Sequence, residues 1–275
     1  METKKLGIIG VGRVGGALKG AFEVKATDCF LVVNSILGIK TKEEIIKAAD
    51  VLFITVPDRF IESVANEIAQ NLGEKVSGKT FFHCSGALGL EALASLEKLG
   101  ARIGSIHPLQ SFNKESKPEV FESIFMALDY HETETKKIAE ELVESLGAQP
   151  FVVPANQRKL YHAAACMASN YVVTTLDIAE QLMATFLASK EDAAKALKPL
   201  FKGTSNNLLI GDNARTSLTG PIARGDAKTI KEHLEVMPRE LQKVYRVLGI
   251  ETVKTAKANG TINEIQAQEM FEILK

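Results

Sequence analysis

Apolar residues follow two different rhythms along the chain, and the rhythm changes near residue 154. Before that point, short and nearly continuous apolar runs predict strands. They fall at Lys5–Ile9, Cys29–Val33, Asp50–Val56, Thr80–Cys84, Arg102–Ile106, Ser123–Leu128 and Pro150–Val153. Amphipathic stretches such as Asp58–Asn71, Gly89–Leu99 and Glu132–Leu146 separate most of them. Unbroken apolar strands alternating with helices imply a parallel sheet covered on both faces. After Pro154 the rhythm is helical throughout. Ala155–Phe186 is one long periodic run without internal Gly or Pro, and Asp192–Leu209, Asp226–Leu248 and Thr261–Leu274 follow. Asp226 and Thr261 are suitable N-caps, and Pro199 should bend or divide its helix. The expected architecture is a doubly wound α/β domain over 1–154, followed by an all-helical domain over 155–275.

The sharpest local signal is Gly10-Val11-Gly12-Arg13-Val14-Gly15, between the first strand and an amphipathic helix. In that setting the glycines have separate tasks. Gly10 permits a tight turn, Gly12 lets backbone approach a pyrophosphate, and Gly15 lets helix pack on strand. The helix N-terminus presents free N–H groups and a positive dipole end to the anion. This is the arrangement of a Rossmann dinucleotide site. An NAD site usually carries a carboxylate after the second strand for the ribose hydroxyls. This chain has Asn34-Ser35 instead. Neutral donors accept a 2′-phosphate that a carboxylate would repel, so NADP is expected ahead of NAD. Arg13 and Lys40 are nearby positive charges. Little room remains before Thr41-Lys-Glu-Glu44, which reads as a capping box opening a short helix.

Ligands of doubly wound sheets bind beyond the carboxyl ends of strands. Val56-Pro57 ends the third strand and joins the expected cofactor contacts, with Asp58 as the cap of the next helix. Ser85, in His83-Cys84-Ser85-Gly86, and His107, in His107-Pro108, stand where nicotinamide or substrate would lie. Both dipeptides are also ordinary turn chemistry. A Cys84 nucleophile is less favoured, for no orienting motif accompanies it. On the long helix Lys159, His162, Cys166 and Asn170 share a narrow arc, with Ser169 alongside. His162 or Lys159 could exchange a proton with a substrate, and Asn170 could orient it. In Leu218-Thr219-Gly220-Pro221-Ile222-Ala223-Arg224-Gly225-Asp226, Arg224 could bind a carboxylate bidentately or pair with Asp226.

Composition narrows the classes without naming one. The 275 residues carry 33 Lys+Arg against 34 Asp+Glu, a formal net charge of −1. Near-neutrality argues against a nucleic-acid or anionic-membrane partner. No apolar run approaches the roughly 20 residues of a membrane span. The N-terminal Met1-Glu2-Thr3-Lys4-Lys5 precedes no signal-like apolar segment. Cys29, Cys84 and Cys166 form no CxxC pair. A reduced, cytoplasmic protein is therefore expected. The five histidines lack ligand spacing, and neither GxSxG nor HExxH occurs, so no metal is expected and a hydrolase is the weakest reading.

Together GVGRVGGAL, ADVLFITVPD, HCSGALG, GSIHPLQSF, KLYHAAACMASNY and LTGPIARGD resemble Rossmann-like NADP-binding proteins with a C-terminal domain of unknown function. More distantly the chain resembles pyrroline-5-carboxylate reductase, ketopantoate reductase, deazaflavin-dependent NADP oxidoreductases and the 6-phosphogluconate dehydrogenase group. The resemblance implies a nicotinamide-binding domain, a helical domain that often dimerises, and cleft residues His107, His162, Asn170, Thr219, Pro221 and Arg224. Position 163 is Ala163, so the Lys-x-x-x-Asn pair of some relatives is not completed after Lys159. The expected function is hydride transfer between NADP and a small carbonyl, imine or hydroxy acid, held in an interdomain cleft of a homodimer. The rival is a non-catalytic NADP sensor or interaction protein.

Overall fold

In β1 (Lys4–Ile9), Leu6 and Ile8 enter one hydrophobic core while Ile9 enters another. In β3 (Val51–Ile54), Val51 and Phe53 join the first core, and Leu52 and Ile54 the second. Side chains of a strand alternate between faces, so a strand covered on both sides is apolar at every position. That is why these segments read as unbroken runs. The structure, a computed structural model, describes the backbone of residues 4–25, 30–33 and 39–275, and the side chains of 4–24 and 43–275.

Between and after these strands come α1 (Arg13–Lys25), β2 (Phe30–Val33) and α2 (Ile39–Ala48), then α3 (Asp58–Leu72), β4 (Thr80–His83) and α4 (Ala94–Glu97). β5 (Arg102–Pro108), β6 (Phe125–Tyr130), α5 (Thr133–Ser145) and β7 (Gln149–Val152) complete the sheet region. The seven strands lie in the order β2-β1-β3-β4-β5-β6-β7. The chain therefore winds one way from β1 to β2 and the other way from β3 onward. That reversal places a crevice at the carboxyl ends of β1 and β3. β2 and β7 are the two edge strands of this sheet.

Several expectations need correction. The sheet is not wholly parallel, because β6 runs antiparallel to β5, with Pro108 opposite Met126. A parallel return needs a crossover, usually a helix, whereas residues 109–124 hold only one short 3-10 turn, Pro118–Phe121. The stretch after Gly89 forms two short turns, Leu90–Leu93 and α4, rather than one helix. The capping-box segment begins earlier than Thr41, since α2 starts at Ile39; the side chains through residue 42 lie outside the described ones. Asp58 does not cap α3; Pro57 holds that position and no side chain caps the end.

The expected long helix is interrupted. After a 3-10 turn at Ala155–Gln157 come α6 (Arg158–Ala168) and α7 (Asn170–Met183), parted by Ser169 at φ −124° and ψ −73°. Ser and Asn side chains compete for nearby backbone groups and so weaken a helix interior. The chain divides into compact units at Met1–Tyr171 and Val172–Lys275, not at 154, so α6 belongs with the sheet.

The second unit continues with α8 (Lys190–Ile210), α9 (Ala227–Val236), α10 (Arg239–Ala258) and α11 (Glu264–Leu274). α8 runs on through Pro199, which neither divides it nor ends it. The segment expected as one helix from Asp226 is split at Pro238, which lacks an N–H and forces its predecessor out of the helical region. Asp226 does cap α9, accepting from Thr229 N–H at 3.1 Å. Thr261 does not cap the last helix; Asn263 does, in a reciprocal capping box with Gln266. Ile230, Leu234, Val253, Met270 and Leu274 form the core of this unit. Among the described residues no helix is long and apolar enough to cross a membrane.

Candidate functional site

At the end of β1 the backbone turns at Gly10, whose φ of +100° is the left-handed region that favours glycine. A side chain at Gly15 would lie 2.1 Å from Gly10 O and 2.3 Å from Thr55 Oγ1. α1 is thus packed onto the turn as tightly as backbone allows. Thr55, just past β3, donates its hydroxyl to Gly10 O at 2.5 Å and fixes the turn from the neighbouring strand. Val56 packs over Gly10. Gly12 differs from its two partners, because nothing lies within 4 Å of the place its Cβ would occupy. Val11 is half exposed, and Gly12 and Arg13 are exposed. The first turn of α1 carries no acidic residue. This is an open backbone surface at a helix N-terminus, which suits a pyrophosphate. Asn34 and Ser35 lie outside the described residues.

Arg13 and Val14 line one cavity of about 820 Å³ together with His107, Tyr161, His162, Cys166, Ser169 and Asn170. Leu109, Gln110, Ser111 and Phe112, from the connection after β5, form another wall. The structure therefore joins the glycine loop to most of the expected polar stripe, entirely within the first unit. Lys159 departs from the stripe. It lines a separate cavity of about 720 Å³ with Glu91, Glu97, Asp129 and His131.

The polar end of the first cavity is built over Gly86. A Cβ there would meet His162 Nδ1 at 2.7 Å and His107 Nε2 at 2.8 Å, so the absence of a side chain admits both rings. Their centroids lie 6.1 Å apart in an edge arrangement. His107 Nδ1 is hydrogen bonded to Tyr161 Oη at 2.6 Å. Burial, reinforced by the charges of His162 and Arg158, lowers the His107 pKa to about 4. His162 Nε2 meets Cys166 Sγ at 3.6 Å, and His162 Nδ1 is buried with no partner among the described residues. Tyr161 is a site residue that sequence reasoning missed. Its position one before His162 takes it off the polar arc, and the aromatic ring reads as core.

Ser85 requires correction. It is 3% exposed, its hydroxyl donates to Asp58 Oδ2 at 2.7 Å, and the same oxygen accepts from Ala87 N–H and Leu88 N–H. Ser85 therefore shapes the loop after β4 and does not face the cavity. Beside it, burial and the charge of Asp58 push the Cys84 thiol up to about 12, which removes it as a nucleophile at neutral pH. Behind this loop stands Arg158, 2% exposed, which sequence reasoning also missed. Its Nη2 donates to Ser85 O at 2.6 Å and Ser105 Oγ at 2.5 Å, and Nη1 faces Asp129 at 3.6 Å.

Thr219, Pro221 and Arg224 belong to the second unit. Arg224 ends the 3-10 turn Ile222–Arg224 and is exposed. Asp226 is held below its ordinary carboxylate value, first by the Thr229 hydroxyl and backbone and further by the Arg224 charge. Among the described residues no group of three His, Cys, Asp or Glu is placed to hold a metal ion.

Comparison with known proteins agrees with this architecture. No curated protein matches the sequence significantly. A protein of Bacteroides fragilis assigned as an NADP oxidoreductase superposes with a TM-score of 0.68 at 20% identity, over 92% of this chain and 99% of that one. A protein of Thermotoga maritima gives 0.69 at 26% identity, over 93% and 99%. The pyrroline carboxylate reductase of Plasmodium falciparum, solved with NADP bound, gives 0.55 at 15%, over the whole of both chains. Residues 33–108 match the model of a Rossmann-like domain, and residues 124–252 match that of a domain of unknown function, DUF2520. The two matches follow one another along the chain, the Rossmann-like model first and the DUF2520 model second.

Proposed function

We propose that the protein is an NADP-dependent oxidoreductase acting on a small carbonyl, imine or hydroxy-acid substrate. The observation that carries this reading is Gly12, open to space at a helix N-terminus, beside Arg13 and Val14, which line one cavity with His107, Tyr161, His162 and Asn170. The residues fit a dinucleotide. Gly10, Val11, Gly12 and Gly15 would hold the pyrophosphate against the N–H groups of α1, with Arg13 and Val14 beside it and Val56-Pro57 flanking it. Asn34 and Ser35 would take the 2′-phosphate. The bound nucleotide supplies the redox chemistry, as a hydride donor or acceptor. The chain orients the substrate through Asn170 and exchanges its proton at the imidazole end of the cavity. The solved relative with bound NADP supports the choice of cofactor. Exposed apolar side chains on α8, including Leu209 and Ile210, support a second copy of the chain as partner.

Two glycine variants test the reading by NADPH fluorescence titration. Gly12→Ala meets nothing in the free chain, so its melting temperature should match wild type while NADPH affinity falls about tenfold or more, some 1.4 kcal/mol. Gly15→Ala drives a methyl into backbone and should lose both affinity and about 1–3 kcal/mol of stability. Wild type should prefer NADPH to NADH. A Gly12→Ala variant that binds NADPH as wild type does would overturn the site.

A further inference from the structure

The reading above leaves the source of the substrate's proton open among several side chains. We infer that the phenol of Tyr161 delivers it, with His107 behind Tyr161 as the group that restores the phenol; the inference rests on the oxidoreductase reading. Three observations carry it. Tyr161 lines the cavity that begins at Arg13 and Val14. Its Oη is 2.6 Å from His107 Nδ1, a short hydrogen bond. Both rings line that cavity and meet edge-on with centroids 5.5 Å apart, so phenol and imidazole face the same space.

His162 is less suited to the task. Its Nδ1 is buried against Gly86 without a partner among the described residues, and its Nε2 is turned to Cys166. His107 Nε2, near Gly86, makes no hydrogen bond among the described residues and is not sealed from solvent. A chain of three sites follows, from solvent at His107 Nε2, through Nδ1, to Tyr161 Oη.

The transfer balances. As charge builds on the carbonyl oxygen or imine nitrogen of the substrate, the Tyr161 O–H bond breaks and its proton goes to that atom. The bonding pair stays on Oη. Oη takes the proton of His107 Nδ1–H, whose pair stays on the ring, and Nε2 takes one proton from water. The net change is one proton from solvent to substrate. Tyr161 ends as a phenol, and His107 ends neutral in its other tautomer.

The surroundings keep both groups neutral. Arg158 is the charge that acts on Tyr161, and burial outweighs it, leaving the phenol at about 12. Arg158 and His162 on α6 and Asp58 on α3 face His107, and burial again dominates. A phenol acid stays protonated where an ordinary imidazolium acid has lost its proton.

Tyr161→Phe is the test, because it keeps the ring contacts with Phe151 and His107 and deletes only the oxygen. NADPH oxidation is followed with aldehydes, 2-oxo acids and cyclic imines. Wild-type kcat should stay level from roughly pH 6 to 10, and the variant should lose about 10²–10⁴-fold in kcat with KM and NADPH affinity within about twofold. Nitrogen-15 NMR of the free protein should show the His107 Nδ1 signal displaced in the variant, with other histidines unchanged. A wild-type rate that falls as pH rises through 7, a variant with wild-type kcat, or an unmoved His107 signal overturns the relay alone. Wild type that binds NADPH yet oxidises it with no substrate class overturns the oxidoreductase reading, and the relay with it.

Discussion

His83 ends β4 with no exposed surface. Its Nδ1 accepts from Ser85 N–H at 3.2 Å, and Nε2 lies 3.2 Å from Gly89 O, which describes the neutral Nε2–H tautomer. Burial, followed by the charge of Arg158, lowers its pKa from 6.5 to about 3, while the Gly89 carbonyl pulls the other way and His107 adds a small further decrease. The unfolded chain therefore binds a proton that the folded chain refuses between those values. Stability should be level above about pH 6.5 and decline as pH falls toward 3, by up to about 1.4 kcal/mol per pH unit for this one group. Urea unfolding at several pH values would check this. A His83→Gln chain should show a shallower decline, and an equal slope in both proteins would exclude His83 as a source. In the sequence His83 falls at the end of an expected strand but also opens His-Cys-Ser-Gly, which reads as a polar turn, so the pattern does not decide its burial. The glycine loop was legible because its spacing is a backbone requirement. The roles of Ser85, Tyr161 and Arg158 depend on partners 27 to 73 residues away, and local spacing does not encode them.

Among the elements, α6 shows how a helix can be held by its first residue. Arg158 reaches the loop after β4 through Ser85 O, β5 through Ser105 and β6 through Asp129. Asp129 is 13% exposed at its side chain. An Arg158→Met chain leaves that carboxylate without its cation, and such half-removed pairs cost about 3–5 kcal/mol. Denaturant unfolding should register a loss of that order, and a loss below about 1 kcal/mol would mean that Arg158 is not the anchor. Changing Asp129 to Asn in the same chain should recover part of it. Strands were legible because burial on both faces leaves only apolar residues. The direction of β6 was not, because an apolar run carries no arrow. The helical rhythm after residue 154 was legible too. Its break at Ser169 and Asn170 was not, because neither residue forbids a helix as Pro238 does.

For the whole molecule, the second unit leaves large apolar side chains in water along α8. Leu200 is 67% exposed, Leu209 83% and Ile210 85%. Scattered exposed leucines are ordinary, but Leu209 and Ile210 stand together at the end of α8 and suit the proposed second copy. Sedimentation at micromolar concentration should give a dimer, and Leu209→Asp with Ile210→Asp should give a monomer that still binds NADPH at the first unit. A wild-type monomer would remove the second copy from the proposal. The sheet's one reversal has a different consequence. Because β6 returns beside β5 at the same end, residues 109–124 close on themselves without crossing the sheet. Leu109 through Phe112 in that connection wall the cavity. The far part of the connection is tied down, because Phe121 is buried in the first core and Phe112 packs on it. Changes at Leu109–Ser111 should therefore reshape the pocket at less cost in stability than changes at Phe112 or Phe121, so the wall has one part free to vary and one part that is not.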